Sequence, residues 1–159
     1  HQRCNLVEVM GRYCGDIAIH SAIATGAKYL ITPETGFDKE HLFADLERQD
    51  ELGIKYSIVV VTENIVDCQE LAKEIMETTE IEARATILGH IQRGGTPTAF
   101  DRKLGIELGQ RAVELIDAGI GSRCVGVDGG DVIDMDITKA LELPARDKTK
   151  IINTFEITK

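Results

Sequence analysis

The sequence predicts an α/β fold, a three-layer sandwich with helices on both faces of a mostly parallel sheet. Three observations point to it. Short apolar runs alternate with longer amphipathic ones from residue 6 to residue 118. Strand then helix, repeated, is the pattern of a parallel sheet covered on both sides. Ile58-Val59-Val60-Val61 is an unbroken β-branched apolar run, as expected of a strand buried on both faces. Ile87-Leu88 leads straight into Gly89-His90-Ile91-Gln92-Arg93-Gly94-Gly95-Thr96-Pro97. Such a strand exit into a glycine turn is where open α/β sheets bind ligands.

Each element follows from local signals. Leu6-Val7-Glu8-Val9 reads as a strand broken at Gly11, and Gly15-Asp16 starts a helix that Gly26 terminates, glycine being suited to a C-terminal cap. Tyr29-Leu30-Ile31 is a short strand closed by Pro33-Glu34. From Asp38 to Leu52 the chain is charged and amphipathic, with Leu42, Phe43 and Leu46 on one helical face. Ser57 to Thr62 is the buried strand. Asp67 caps a helix through Met76, and Ala83 to Leu88 is the strand before the glycine turn. Thr98 to Ala118 is the longest helix, with Phe100, Leu104, Leu108, Ala112, Leu115 and Ile116 at helical spacing. Beyond it the pattern is less regular. Arg123 to Val127 and Val132 to Met135 read as strands joined by a turn at Asp128-Gly129-Gly130-Asp131.

A chain of 159 residues has the length of one domain and buries a sizeable core. No apolar run approaches the length of a bilayer span, and no secretory signal heads the chain. The first residue is not Met and a strand follows almost at once, so the chain is expected to be part of something longer. A net charge of −9 argues against nucleic-acid or membrane-surface binding, which needs a broad positive field. An acidic protein that binds an anion must concentrate its cations, and Arg84, His90 and Arg93 fall within ten residues. The four cysteines (Cys4, Cys14, Cys68, Cys124) lack CxxC spacing and read as reduced thiols of a cytoplasmic protein.

Four clusters are candidates for chemistry. Met10-Gly11-Arg12-Tyr13-Cys14-Gly15-Asp16 is a strand–Gly–Arg turn opening a helix. Helix-start amides favour negative charge and Arg12 adds a charge-assisted donor for a phosphoryl oxygen, whereas the plain reading is a tight turn with a solvated Arg. Glu63, at the end of the buried strand, suits recognition of sugar hydroxyls or acid–base work. Taken alone, it is more simply an exposed loop residue. His90 and Arg93 suit a phosphate, against a structural histidine and a rim charge. Arg84 and His90 are six apart and would share a sheet face if the strand extended that far, yet at opposite ends of it. Asp128-Gly129-Gly130-Asp131 is better read as a turn than as a cation site. His20 and His41 are far apart, and no HExxH, GxSxG, Walker lysine or GxGxxG motif occurs. The residues alone lead to an α/β domain binding a phosphorylated, hydroxylated small molecule, with no metal site.

Two long segments carry a resemblance. Val7 to Asp16 and Arg84 to Arg102 closely resemble motifs of bacterial ATP-dependent 6-phosphofructokinases, in the same order. The similarity extends through His1-Gln2-Arg3, Pro33-Glu34, Thr62-Glu63 and Arg123-Cys124-Val125-Gly126. It implies a partial Rossmann-like phosphofructokinase fold, with residues 1–92 as the fructose 6-phosphate domain. Residues 93–141 would pack toward an ATP domain, and 142–159 would return to the substrate domain.

The resemblance further implies a role for each matching residue. Met10, Gly11 and Arg12 would line the sugar and the transferring phosphoryl group, with Arg12 catalytic. Glu63 would bond sugar hydroxyls, and His90, Ile91, Gln92 and Arg93 would hold the 6-phosphate. Arg3 and Arg84 would reach the neighbouring subunit's site, implying a homo-oligomer, typically a tetramer. The implied reaction is glycolytic phosphorylation of fructose 6-phosphate to fructose 1,6-bisphosphate in the cytoplasm. ATP, Mg2+ and the catalytic aspartate would be held by an amino-terminal half without counterpart here, so the chain alone is expected to be inactive. The alternatives are a pyrophosphate-dependent relative or a non-catalytic sugar-phosphate-binding module. Bacterial members also place an acid after the Gly26 position and a Lys-Gly-Lys run before the strand at Ser57, in an allosteric effector site. Lys28 and Leu52-Gly53-Ile54 stand there instead, which implies a weak or altered effector response.

Overall fold

The computed structural model describes residues 3–158; His1 and Gln2, quoted above with Arg3, lie outside them. The chain forms two compact units: residues up to Gly94 together with those from Asp147 onward, and Gly95–Arg146.

In the first unit, β1 (Arg3–Val9), β2 (Tyr29–Ile31), β3 (Tyr56–Thr62) and β4 (Glu82–Ile87) form one parallel sheet in the order β2-β3-β1-β4. The crossovers are α1 (Asp16–Thr25), α2 (Lys39–Glu51) and α3 (Cys68–Thr78). Strand side chains alternate between two cores. Cys4, Leu6, Val59, Val61 and Ile31 face Leu42 and Leu46 of α2 and Leu71 and Ile75 of α3. Val9, Val60 and Leu30 face Ala18, Ile19 and Ala22 of α1 on the other side. Val59, Val60 and Val61 are all buried, as the β-branched run requires.

The helix ends obey their local signals. Asp38 accepts from the His41 amide at 2.9 Å, and Asp67 from those of Gln69 and Glu70 at 2.9 and 3.0 Å. Each satisfies amides that the first helical turn leaves unpaired. Gly26 terminates α1 in the left-handed region at φ 65°.

Two expectations are corrected. The strand expected through Leu88 stops at Ile87, and the glycine turn expected after it is wound into a 3₁₀ helix over Gly89–Arg93. Ile91 N–H donates to the Leu88 carbonyl at 3.2 Å and Gly94 N–H to that of Ile91 at 3.1 Å. The strand therefore never reaches His90, and Arg84 and His90 do not share a sheet face. Second, the irregular end of the chain holds two helices that the pattern did not reveal, α5 (Ile137–Leu141) and α6 (Thr149–Thr158). Phe155 of α6 is buried in the α1-side core, with Ile151 and Ile152 packed around it.

In the second unit the expected long helix, α4 (Ala99–Asp117), begins at a reciprocal Thr98–Asp101 capping box. Of its expected apolar stripe only Leu115 is buried, while Phe100 and Ile116 are exposed. β5 (Arg123–Asp128) and β6 (Asp131–Asp136) form an antiparallel hairpin. Its two-residue loop places Gly129 and Gly130 at φ 59° and 99°, the conformation that tight hairpins demand. Asp134 receives Arg111 of α4 and Arg123 of β5 at 2.5 Å each, tying helix to hairpin. Those guanidiniums, Arg111 first, hold its carboxyl below the usual range.

Candidate functional site

The candidate residues of the first unit gather where β1, β3 and β4 leave the sheet. Val9 pairs with Thr62 and Glu8 with Ile87, so the three following segments emerge side by side. Glu63 N–H extends the ladder to the Val9 carbonyl at 2.9 Å, and Leu88 N–H to that of Glu8 at 3.1 Å.

Side chains then cross between the segments. Glu63 Oε1 accepts from the amides of Gly11 and Arg12, each at 3.1 Å. Gln92 Oε1 accepts from the Met10 amide at 2.7 Å. The turn after β1 is thus held from β3 on one side and from the 3₁₀ segment on the other. Its shape is constrained at two positions. Arg12 adopts a left-handed φ of 52°, uncommon for a residue with a side chain. At Gly11 a Cβ would overlap the Cys14 carbonyl and lie 2.9 Å from Thr62 Cγ2, so glycine alone fits. Arg12, His90 and Arg93 are exposed.

Behind this turn lies a charge cluster absent from the sequence reading. Glu34, just past β2, accepts from the Gly15 amide at 3.0 Å. Lys148 Nζ, its side chain only 10% exposed, lies 2.5 Å from Glu34, 3.1 Å from Asp16 and 3.0 Å from Cys14 Sγ. Burial alone would lower the Lys148 pKa, but the hydrogen bonds it donates to Glu34, Cys14 and Asp16 outweigh burial and hold the pKa above the ordinary lysine value. Burial likewise opposes ionisation of Glu34, yet Lys148 and the Gly15 amide bring its pKa below the usual range; Asp16 is lowered chiefly by Lys148. One signal for Glu34 was available: it follows β2 much as Glu63 follows β3. Lys148 had none, because its partners lie more than a hundred residues away.

Arg3 and Arg84 are elsewhere. Both bind Glu82 at the opposite end of the strands, Arg84 Nη2 at 2.7 Å and Arg3 Nε at 3.3 Å. A seven-residue strand puts them roughly 20 Å from the turn after β1. They face solvent and do not join the cluster of Glu63 and Gln92. The thiols of Cys4 and Cys68 are pushed up to about 12 by burial, so neither is a nucleophile at neutral pH. Lys28, Leu52 and Ile54 line one cavity of about 350 Å3 together with Asp45, Arg48 and Gln49. The Asp128–Asp131 segment is a hairpin turn. Among the described residues no group of three or more carboxylate, imidazole or thiol side chains is placed to hold a metal.

Comparison with known proteins sets this geometry in a family. The Phosphofructokinase family model matches residues 1–116. The chain belongs to the phosphofructokinase family. An ATP-dependent 6-phosphofructokinase of Photobacterium profundum is 54% identical over 142 residues, covering 89% of the chain and 44% of that relative. That of Teredinibacter turnerae is 49% identical over 146 residues, 92% of the chain and 46% of the relative. The chain thus spans less than half the length of these curated relatives. Among solved structures, Pichia pastoris phosphofructokinase in the T-state matches with a TM-score of 0.79 at 27% identity, covering 99% of the chain and 19% of its own. A pyrophosphate-dependent phosphofructokinase from Nitrosospira multiformis matches at 0.73 and 21% identity, covering 87% of the chain and 40% of its own, a likeness of fold.

Proposed function

We propose that this chain carries the fructose 6-phosphate site of an ATP-dependent 6-phosphofructokinase, which makes fructose 1,6-bisphosphate in glycolysis. The observation that carries the reading is the convergence of Glu63 and Gln92 on the amides of Met10, Gly11 and Arg12. It joins the sugar-facing segment to the phosphate-facing one. In this reading Glu63, already oriented by two amides, takes sugar hydroxyls. His90 and Arg93, with Ile91 and Gln92 shaping their segment, take the 6-phosphate. Arg12 neutralises charge developing on the transferring phosphoryl group.

When bound in the whole enzyme, ATP would supply the phosphoryl group and Mg2+ would neutralise its charge. The described residues offer no cluster suited to holding the cation. In this reading residues 1–92 serve the sugar, 93–141 lead toward an ATP domain and 142–159 return to the substrate side. The exposed apolar residues of α4, Phe100, Ile106, Val113 and Ile116, suit that packing. Arg3 and Arg84, remote from Glu63 and exposed, serve the site of a neighbouring subunit in a cytoplasmic homotetramer. With Lys28 and Leu52-Gly53-Ile54 standing where bacterial members place an acid and a Lys-Gly-Lys run, the effector response is weak or altered.

Titration calorimetry of the 159-residue chain with fructose 6-phosphate tests the reading. Binding is expected, and Arg93→Ala is expected to weaken it about 10- to 100-fold, the worth of a lost charge-assisted bond. A folded chain that takes up no sugar phosphate overturns it. With ATP and Mg2+ added, sugar bisphosphate should not form from this chain alone; its appearance would rule out a purely binding module.

A further inference from the structure

The turn after β1 is braced twice. Its front, at Met10, Gly11 and Arg12, is held by Gln92 and Glu63. Its back, from Cys14 to Asp16, meets Lys148, which reaches Cys14 and Asp16 directly and Gly15 through Glu34. The Cys14 amide in turn donates to the Gly11 carbonyl at 2.9 Å, closing the loop between back and front.

A nearly buried lysine is a costly way to dock a helix, because an ammonium loses hydration that only well-placed partners replace. α6 already has Phe155 for that purpose. The cation stands at the first residue before α6, where Ile152 N–H donates to the Lys148 carbonyl at 3.0 Å. It is therefore anchored to a rigid element and aimed at three consecutive residues of one turn. That turn holds Arg12 at φ 52°, a conformation that the surroundings must impose.

We propose that Lys148 is a positioning residue for the Met10–Gly15 turn, acting through Glu34, Cys14 and Asp16 to fix the backbone that presents Arg12. The proposal rests on the sugar-phosphate reading of that turn for its functional meaning. Without Lys148 the carboxylates of Glu34 and Asp16 face each other unneutralised, Glu34 withdraws from the Gly15 amide, and the left-handed turn relaxes.

The test is amide hydrogen exchange by NMR, combined with fructose 6-phosphate titration, on the whole chain and its Lys148→Met and Lys148→Arg variants. In Lys148→Met, exchange at Cys14 and Gly15 speeds at least about tenfold while β1 and β3 amides keep their wild-type rates. Affinity for fructose 6-phosphate falls about tenfold, the scale of a misplaced binding group. Lys148→Arg restores both. Wild-type exchange at Cys14 and Gly15, or a uniform acceleration across the sheet, overturns the proposal. If Lys148→Met does not fold, Glu34→Gln decides: it weakens the link to Lys148 and should loosen the same two amides, and wild-type rates there overturn the proposal. If the folded wild type binds no fructose 6-phosphate, the functional reading fails, and exchange alone still decides whether Lys148 holds the turn.

Discussion

At Gly11 a single hydrogen atom keeps the site closed. The Cys14 carbonyl and Thr62 Cγ2 approach so near that a methyl group has no room, and both belong to rigid surroundings, the turn and the end of β3. Gly11→Ala must therefore move the turn away from Glu63, breaking the bonds from the Gly11 and Arg12 amides. Overpacking of this kind costs about 1–3 kcal/mol. We expect a lower melting temperature and loss of fructose 6-phosphate binding, measured by circular dichroism and calorimetry. Unchanged affinity would show that the turn is not part of the binding surface. Glu63 was legible in the sequence because a carboxylate at the exit of a buried apolar run is conspicuous. Its actual partners, backbone amides fifty residues earlier, were not. Glu34 and Lys148 show the same limit more sharply: an ion pair between distant segments leaves no local pattern, because only the folded sheet brings its members together.

The strands and the first four long helices were legible because each carries its own punctuation, such as Asp38, Asp67 and the Thr98–Asp101 box before helices and Gly26 after one. Helix α6 was missed although its signals exist. Asp147 Oδ1 accepts from the Thr149 amide at 2.9 Å, and Ile151, Ile152 and Phe155 recur at helical spacing. It is one short element after an irregular stretch, and its importance comes from what it covers. With β1, β2 and β3, α1 and α6 make the second core, and Phe155 is 2% exposed within it. Phe155→Ala should cost about 3–5 kcal/mol, the range for emptying a buried aromatic site. The measurement is urea unfolding. A loss below about 1 kcal/mol would mean that α6 is not docked in solution. The 3₁₀ winding of Gly89–Arg93, expected only as a glycine turn, stays hidden in the sequence for a related reason. Its bonds close over three residues, too short a span to leave a hydrophobic period.

For the molecule as a whole, two electrostatic effects compete as pH falls. The net charge of −9 favours stabilisation on acidification, since protonating carboxylates relieves self-repulsion. Against this, Asp16, Glu34, Glu82, Asp101, Glu114, Asp134 and Asp147 all have carboxyls held below their ordinary range. A carboxyl whose folded pKa lies below its unfolded value, about 4, contributes stability that is present above that value. The contribution is lost as pH falls through the folded pKa. Lys148 has the opposite sign: raised in the fold, it contributes fully below the unfolded lysine pKa of about 10.4 and loses that contribution as pH rises through the folded one. Long-range repulsion is screened beyond about 8 Å at physiological salt. The local bonds at Asp101 and Asp147 go to threonine hydroxyls and amides and survive added salt. The local bonds should therefore win. Thermal melts in 0.15 M salt are expected to be flat between about pH 6 and 8 and to fall below about pH 4–5. The acid-side fall should be shallower in Lys148→Met, whose Glu34 and Asp16 lose the cation that does most to depress their pKa values. A melting temperature that rises from pH 7 to pH 5 would mean that self-repulsion governs this acidic chain and that its surface carboxylates are poorly bonded in solution.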